Sequence, residues 1–387
     1  MKYNFDEYIN RKNTNCVKYD GLKRYFNIED AKPMWVADMD FKTPNFILED
    51  LKKVLDYEIL GYPEVSQEVY SSIISWYEKR HKISNINNDE ILLTTGVVTA
   101  ISACIEALSK ENDEVIIQTP VYYPFFSCVQ NNNRKLIINP LVNEQDYYKI
   151  DFKDLEEKIT PKTRLLILCS PHNPVGRVWD KEELLQLCKI CLKHNIIIIS
   201  DEIHSDLVFK PFTSILHLEE KYINNCVVLN SPSKTFNIAG LNSSYIIAKN
   251  EILKNKISVI IKKREIGNLN LFGLQGIISS YTKGEEWLKM LLFYLNENIT
   301  IVNQSLNNKC NNITFKIPEA TYLLWLNFTK VEDSHKNIFS RLLNKSKLAL
   351  NDGSTFGKEG EFYFRLNIAL SKNELIKSLI CLNNEFN

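Results

Sequence analysis

The chain has 387 residues, enough for one large and one small domain, and its 44% hydrophobic content supports a substantial core. Its 47 basic and 47 acidic side chains cancel, which leaves no electrostatic footprint for nucleic acid or an anionic membrane surface. No apolar run nears the roughly 20 residues of a transmembrane helix, and the polar stretch from Lys2 to Asn15 is unlike a signal peptide, so a cytoplasmic protein is expected.

From about residue 91 to about 247, helical periods alternate with short apolar runs, the pattern of an α/β domain with a mostly parallel sheet. Strands are predicted at 91–93, 115–117, 136–138, 165–168, 196–199, 227–229 and 245–247. Before the first of them, Gly61-Tyr62-Pro63 reads as a loop. After it, Thr94-Thr95-Gly96-Val97-Val98-Thr99 opens a helix whose free N–H groups and dipole suit an anion, although a Thr-Gly turn is also common for structural reasons. In Thr119-Pro120-Val121-Tyr122-Tyr123-Pro124-Phe125-Phe126, the aromatics at 123, 125 and 126 are expected in the core. The run at 165–168 delivers Cys169-Ser170-Pro171-His172-Asn173-Pro174, where the Asn-Pro pair enforces a turn.

A helix is predicted over 181–194. It contains Cys188-Lys189-Ile190-Cys191, but no second CxxC exists to complete a zinc site, so two buried thiols on one helical face are expected. Nine scattered cysteines, an odd count, suit reduced thiols. The run at 196–199 leads into Ser200-Asp201-Glu202-Ile203-His204, and the run at 227–229 into Ser231-Pro232-Ser233-Lys234. Beyond about 284 the pattern changes. A long helix to about 307 precedes strands at 321–326 and 361–366 and helices at 334–343 and 372–383, an α+β arrangement. Arg365 stands inside an aromatic strand, where burial is costly without an anionic mate, either a ligand carboxylate or an internal Asp or Glu.

Lys234, Asp201 and Asn173 would thus emerge at the carboxyl ends of neighbouring strands, where open α/β sheets bind ligands. Each alone is commonplace: a surface lysine, a helix cap, a turn. Together they describe a pyridoxal 5′-phosphate (PLP) site. A lysine can condense with the cofactor aldehyde, an aspartate can keep the pyridine nitrogen protonated, and an amide can donate to the ring oxygen.

At these residues the chain resembles the fold-type I PLP enzymes, the class I/II aminotransferase family. The strings Met34-Trp35-Val36-Ala37-Asp38-Met39-Asp40-Phe41, Cys169 to Trp179 and Ser200 to His204 are similar to its cystathionine β-lyase branch, the MalY/PatB-type C-S lyases. The resemblance runs over essentially the whole chain. It implies the aspartate aminotransferase-like fold of PLP-dependent transferases: a large domain over 46–283 with a mostly parallel seven-stranded sheet, and a small α+β domain over 284–387 joined by the N-terminal segment 1–45.

It also implies roles. Val97 and Val98 would hold the phosphate through their N–H groups and Ser231 through its hydroxyl. Ser233 is either a second donor or a small residue fitting a tight loop. Tyr122 would stack on the cofactor ring, and His204 either supplies the donor to the ring oxygen or only packs beside Asp201. Tyr62 matches a tyrosine that reaches the phosphate of a second subunit, which implies a homodimer with shared active sites, though a plain loop tyrosine fits equally well. Arg365 would clamp the α-carboxylate of an amino-acid substrate. One departure stands out: Asn242 occupies the place where aminotransferases carry a phosphate-binding arginine, and the β-lyase branch tends to lack that arginine too. No metal is implied. The expected activity is cleavage of cystathionine or related cysteine S-conjugates to a thiol, pyruvate and ammonia, with transamination of an amino acid, or a regulatory binding protein on the same fold, as the alternatives.

Overall fold

The structure, a computed structural model, describes residues 3–387. A seven-stranded sheet forms its centre. The strands are β1 (Ile91–Thr94), β2 (Glu114–Ile117), β3 (Lys135–Ile138), β4 (Thr163–Cys169), β5 (Ile197–Asp201), β6 (Cys226–Asn230) and β7 (Ser244–Ile247). They lie in the order β1-β7-β6-β5-β4-β2-β3, and only β7 runs antiparallel to its neighbours. All seven predicted strands are present.

Their residues are apolar on both faces because helices cover both faces. Leu165, Ile167 and Cys169 of β4 pack with the helix Val97–Leu108 and the helix Glu251–Lys263, whereas Leu166 and Leu168 join Leu184 and Leu187 of the helix Lys181–Lys193 in the second core. Helix starts follow local chemistry. Asp180 and Glu183 form a reciprocal capping box, and Asn250, Asn270, Ser334 and Ser371 each accept from an N–H of the turn they open. Cys188 and Cys191 are buried free thiols on that 181–193 helix, as expected.

The C-terminal part builds a second, antiparallel sheet from β8 (Leu323–Asn327), β9 (Asn351–Asp352) and β10 (Tyr363–Asn367), in the order β8-β10-β9. The helices Glu285–Lys309, His335–Asn344 and Lys372–Phe386 accompany it. The N-terminal segment folds onto this part. Lys32–Pro33 pairs in parallel with Leu348–Ala349, Asn367 donates its N–H to the Met34 carbonyl, and Asp40 donates to that of Ala369. Two cations and two carboxylates fix the segment further: Arg11 grips Asp38 (2.7 Å) and Asp40 (2.8 Å), and the buried Lys18 lies 3.1 Å from Asp40.

Candidate active site

The sheet's carboxyl edge brings the predicted residues together. Asp201 ends β5 and is paired in register with Cys169, the last residue of β4, while Lys234 follows the end of β6. Gly96, with φ +146°, turns the chain from β1 into the helix Val97–Leu108, a backbone conformation that favours glycine. A cavity of about 330 Å³ lies between these ends. Val97, Val98, Tyr122, Asn173, Asp201, His204, Ser231, Ser233 and Lys234 all line it, as do Ala37, Cys169, Asn242 and Ser243.

Arg365, on the central strand of the small sheet, does not itself line the cavity but is joined to it through Asn173, which does. It is 2% exposed and makes three hydrogen bonds: Nη1 to Asn173 Oδ1 (3.0 Å), and Nη2 to the Trp35 carbonyl (2.8 Å) and Asn351 Oδ1 (2.6 Å). None goes to a carboxylate, and its Nε has no partner. Burial pushes its pKa down to about 10. An uncompensated buried guanidinium costs several kcal/mol, roughly what a bound carboxylate would offset. Asn173 spends its oxygen on Arg365, so its amide N–H groups are what it has left to donate.

Lys234 and Asp201 are perturbed in opposite directions by the same cause. Burial lowers the Lys234 amine to about 8 and raises the Asp201 carboxyl to about 7. The Lys234 amine donates to the Ala37 carbonyl at 2.8 Å, and Asp201 accepts only from the Ile203 N–H, at 3.1 Å. His204 is buried with an unpartnered Nδ1, and its pKa is lowered to about 3 by burial and by the charges of Lys234 and Arg365. A neutral imidazole is therefore available to hydrogen-bond. The Ser231 hydroxyl donates to the Ser243 carbonyl (2.6 Å) and accepts from the Ser233 N–H (3.0 Å).

Tyr62 is fully exposed and does not line this chain's own cavity, where a reach to a second subunit would not put it. One expectation meets a different outcome. Tyr123, expected in the core, is 42% exposed; only Phe125 of that trio is fully buried. The contacts of Ala37, Trp35, Asn351 and Tyr322, whose hydroxyl donates to the Ala37 carbonyl (2.9 Å), were not legible in the sequence. The available hint was the run 34–41, which is rich in apolar residues and carries two carboxylates yet follows neither helix nor strand period: buried irregular chain. Among the described residues no cluster of His, Cys, Asp and Glu could hold a metal ion, and no helix is long and apolar enough to cross a membrane.

The residues fit a PLP group. A buried carboxylate stands without a strong cationic partner, a lysine is held by one carbonyl, a glycine-led helix start faces the cavity, and an arginine has no anion.

Comparison with known proteins agrees. The model of the aminotransferase class I and II family matches residues 37–380. Cystathionine β-lyase PatB of Bacillus subtilis (strain 168) is 39% identical over 95% of this chain and 96% of its own length. Protein MalY of Escherichia coli (strain K12) is 28% identical over 99% and 98%. The structure of cystalysin from Treponema denticola, which contains a PLP cofactor, superposes with a TM-score of 0.96 at 34% identity, covering 100% of this chain and 99% of that one. The chain belongs to the aminotransferase class I and II family, in the company of PatB and MalY.

Proposed function

We propose that this protein is a PLP-dependent carbon-sulfur β-lyase, which cleaves cystathionine or a related cysteine S-conjugate to a thiol, pyruvate and ammonia. The observation that carries the reading is one cavity lined by a half-buried lysine and a buried aspartate, with a buried arginine that has no acidic partner hydrogen-bonded to its lining residue Asn173. The 39% identity to PatB supports elimination over transfer.

The residues take distinct parts. Lys234, Asp201, Asn173, Tyr122 and His204 would hold the pyridine ring, and the N–H groups of Val97 and Val98, with Ser231 and Ser233, its phosphate. When bound, PLP supplies an electron sink for the pair left behind when the α-proton departs. Arg365 binds the substrate carboxylate and orients the α-carbon. Lys234, its amine lowered by burial to about 8, has a far larger neutral fraction at physiological pH than an ordinary lysine and would take the α-proton as a base. The thiolate then leaves from the β-carbon, and the remaining three-carbon enamine hydrolyses to pyruvate and ammonia.

A homodimer with shared sites is part of the reading. Tyr57, Ile59, Leu60 and Tyr62 form an exposed apolar loop that one subunit would extend to the phosphate of the other. The division at residues 1–45, 46–283 and 284–387 is proposed from the pairing of Lys32–Pro33 with Leu348–Ala349 and from the separate C-terminal sheet. Free thiols at all nine cysteines support a cytoplasmic location.

The test is turnover without a keto acid. Purified enzyme with cystathionine alone is expected to release thiol and pyruvate for many cycles per site. One equivalent per site, with further reaction only after a keto acid is added, would replace the lyase with a transaminase.

A further inference from the structure

Directly after Lys234 in the chain, Thr235 turns away from the cavity into the core, where it is fully buried. Its hydroxyl donates to Asp206 Oδ2 at 3.1 Å. Asp206 does not line the cavity, yet it is a buried carboxylate with four polar neighbours. Trp76 Nε1 donates to both its oxygens (3.1 and 3.3 Å), and His81 Nε2 lies 3.1 Å from Oδ1 at ion-pair distance, off the hydrogen-bond direction. Arg80 donates to its backbone carbonyl (3.1 Å), with the guanidinium Nε 3.9 Å from Oδ1.

Such a cluster is weak evidence for stability, because an apolar core of equal volume often does as well or better. What it provides is direction. Trp76 is itself fixed by a stacked ring, Tyr281, at 5.1 Å, so Asp206 presents Thr235 with an acceptor that cannot drift. On the cavity side, Lys234 has only the Ala37 carbonyl to hold its amine. The loop between is a tight turn, with Phe236 donating to the Pro232 carbonyl and Ile238 to that of Ser233. Any slack at Thr235 therefore passes to Lys234.

We propose that Asp206 is a positioning residue for Lys234, acting through the Thr235 hydroxyl, with Trp76 and His81 holding the aspartate in place. This rests on Lys234 being the cofactor lysine, and the tests keep the two ideas apart. In the holoenzyme, Thr235→Val removes the hydroxyl at nearly constant shape and Thr235→Ser restores it. Thr235→Val is expected to lower kcat roughly tenfold, as a misplaced base would, with KM unchanged and a displaced pH midpoint of the visible chromophore. Thr235→Ser is expected to recover both. Combining Thr235→Val with Asp206→Asn should cost no more than the worse single change, because both break one link; if Asp206→Asn does not fold, the threonine pair decides alone. Wild-type kcat and chromophore titration in Thr235→Val, or failure of Thr235→Ser to recover, would overturn the proposal while leaving the cofactor site intact. Wild-type protein with no borohydride-reducible link at Lys234 would overturn both.

Discussion

Replacing Asp201 by asparagine is expected to stabilise the cofactor-free protein, and to do so only above mildly acidic pH. Asp201 is 4% exposed, accepts one hydrogen bond, and has Lys234 as its only favourable charge, so burial raises its carboxyl from an ordinary 3.8 to about 7. The sign follows from proton binding. Between those values the folded protein holds a proton that the unfolded chain releases, so stability falls as pH rises through the window and levels off above about 7. The full cost is on the order of 4 kcal/mol. Asparagine mimics the protonated acid and can still accept from the Ile203 N–H. Urea unfolding of both cofactor-free proteins between pH 4 and pH 8.5 should give curves that coincide at the acid end and separate in favour of Asp201→Asn as pH rises. Glu202, also raised to about 7 by burial, is common to both proteins and cancels in the difference. With PLP bound the order should invert, because the ring nitrogen then supplies the missing partner. A pH-independent gain, or a variant less stable than wild type at pH 8 without cofactor, would refute the reasoning.

Arg365→Met removes the arginine hydrogen-bonded to the cavity residue Asn173, and KM for an amino-acid substrate is expected to rise about 100-fold through loss of a charge-assisted pair; an unchanged KM would place the substrate carboxylate elsewhere. Because Lys234 must be neutral to act as a base and burial puts its amine near 8, kcat should rise with pH to about 8 and then level, whereas a rate falling over that range would assign the base to another group. Mixing inactive Lys234→Ala with a severely impaired Tyr62 variant should restore part of the activity through hybrid sites once subunits exchange. No recovery, or a fully active monomer on sedimentation, would contradict shared sites.

The sheet was readable because its strands are short apolar runs separated by turn chemistry; 165–168 and 196–199 needed no tertiary information to be recognised. Lys234, Asp201 and Asn173 were readable because each stands within five residues of the end of such a run, so topology sends them to one edge. Arg365 was readable as a charge in an aromatic strand, but its partners Asn173, Trp35 and Asn351 are distant in sequence, and nothing local distinguishes them. Backbone acceptors are harder still. The carbonyl of Ala37, which holds Lys234, carries no side-chain signature at all. Asp206 and Thr235 escaped for the opposite reason: each has an ordinary local reading, and only the packing of Trp76 and His81 against them reveals a linked group.

The most direct test of the site is to reduce the purified holoenzyme with borohydride, digest it, and map the modified peptide by mass spectrometry. A single pyridoxyl adduct on Lys234, within the peptide containing Ser231-Pro232-Ser233, is the expected result, and Lys234→Ala should lack it. An adduct on any other lysine, or none in protein that retains its visible absorbance, would contradict the assignment on which the proposed chemistry stands.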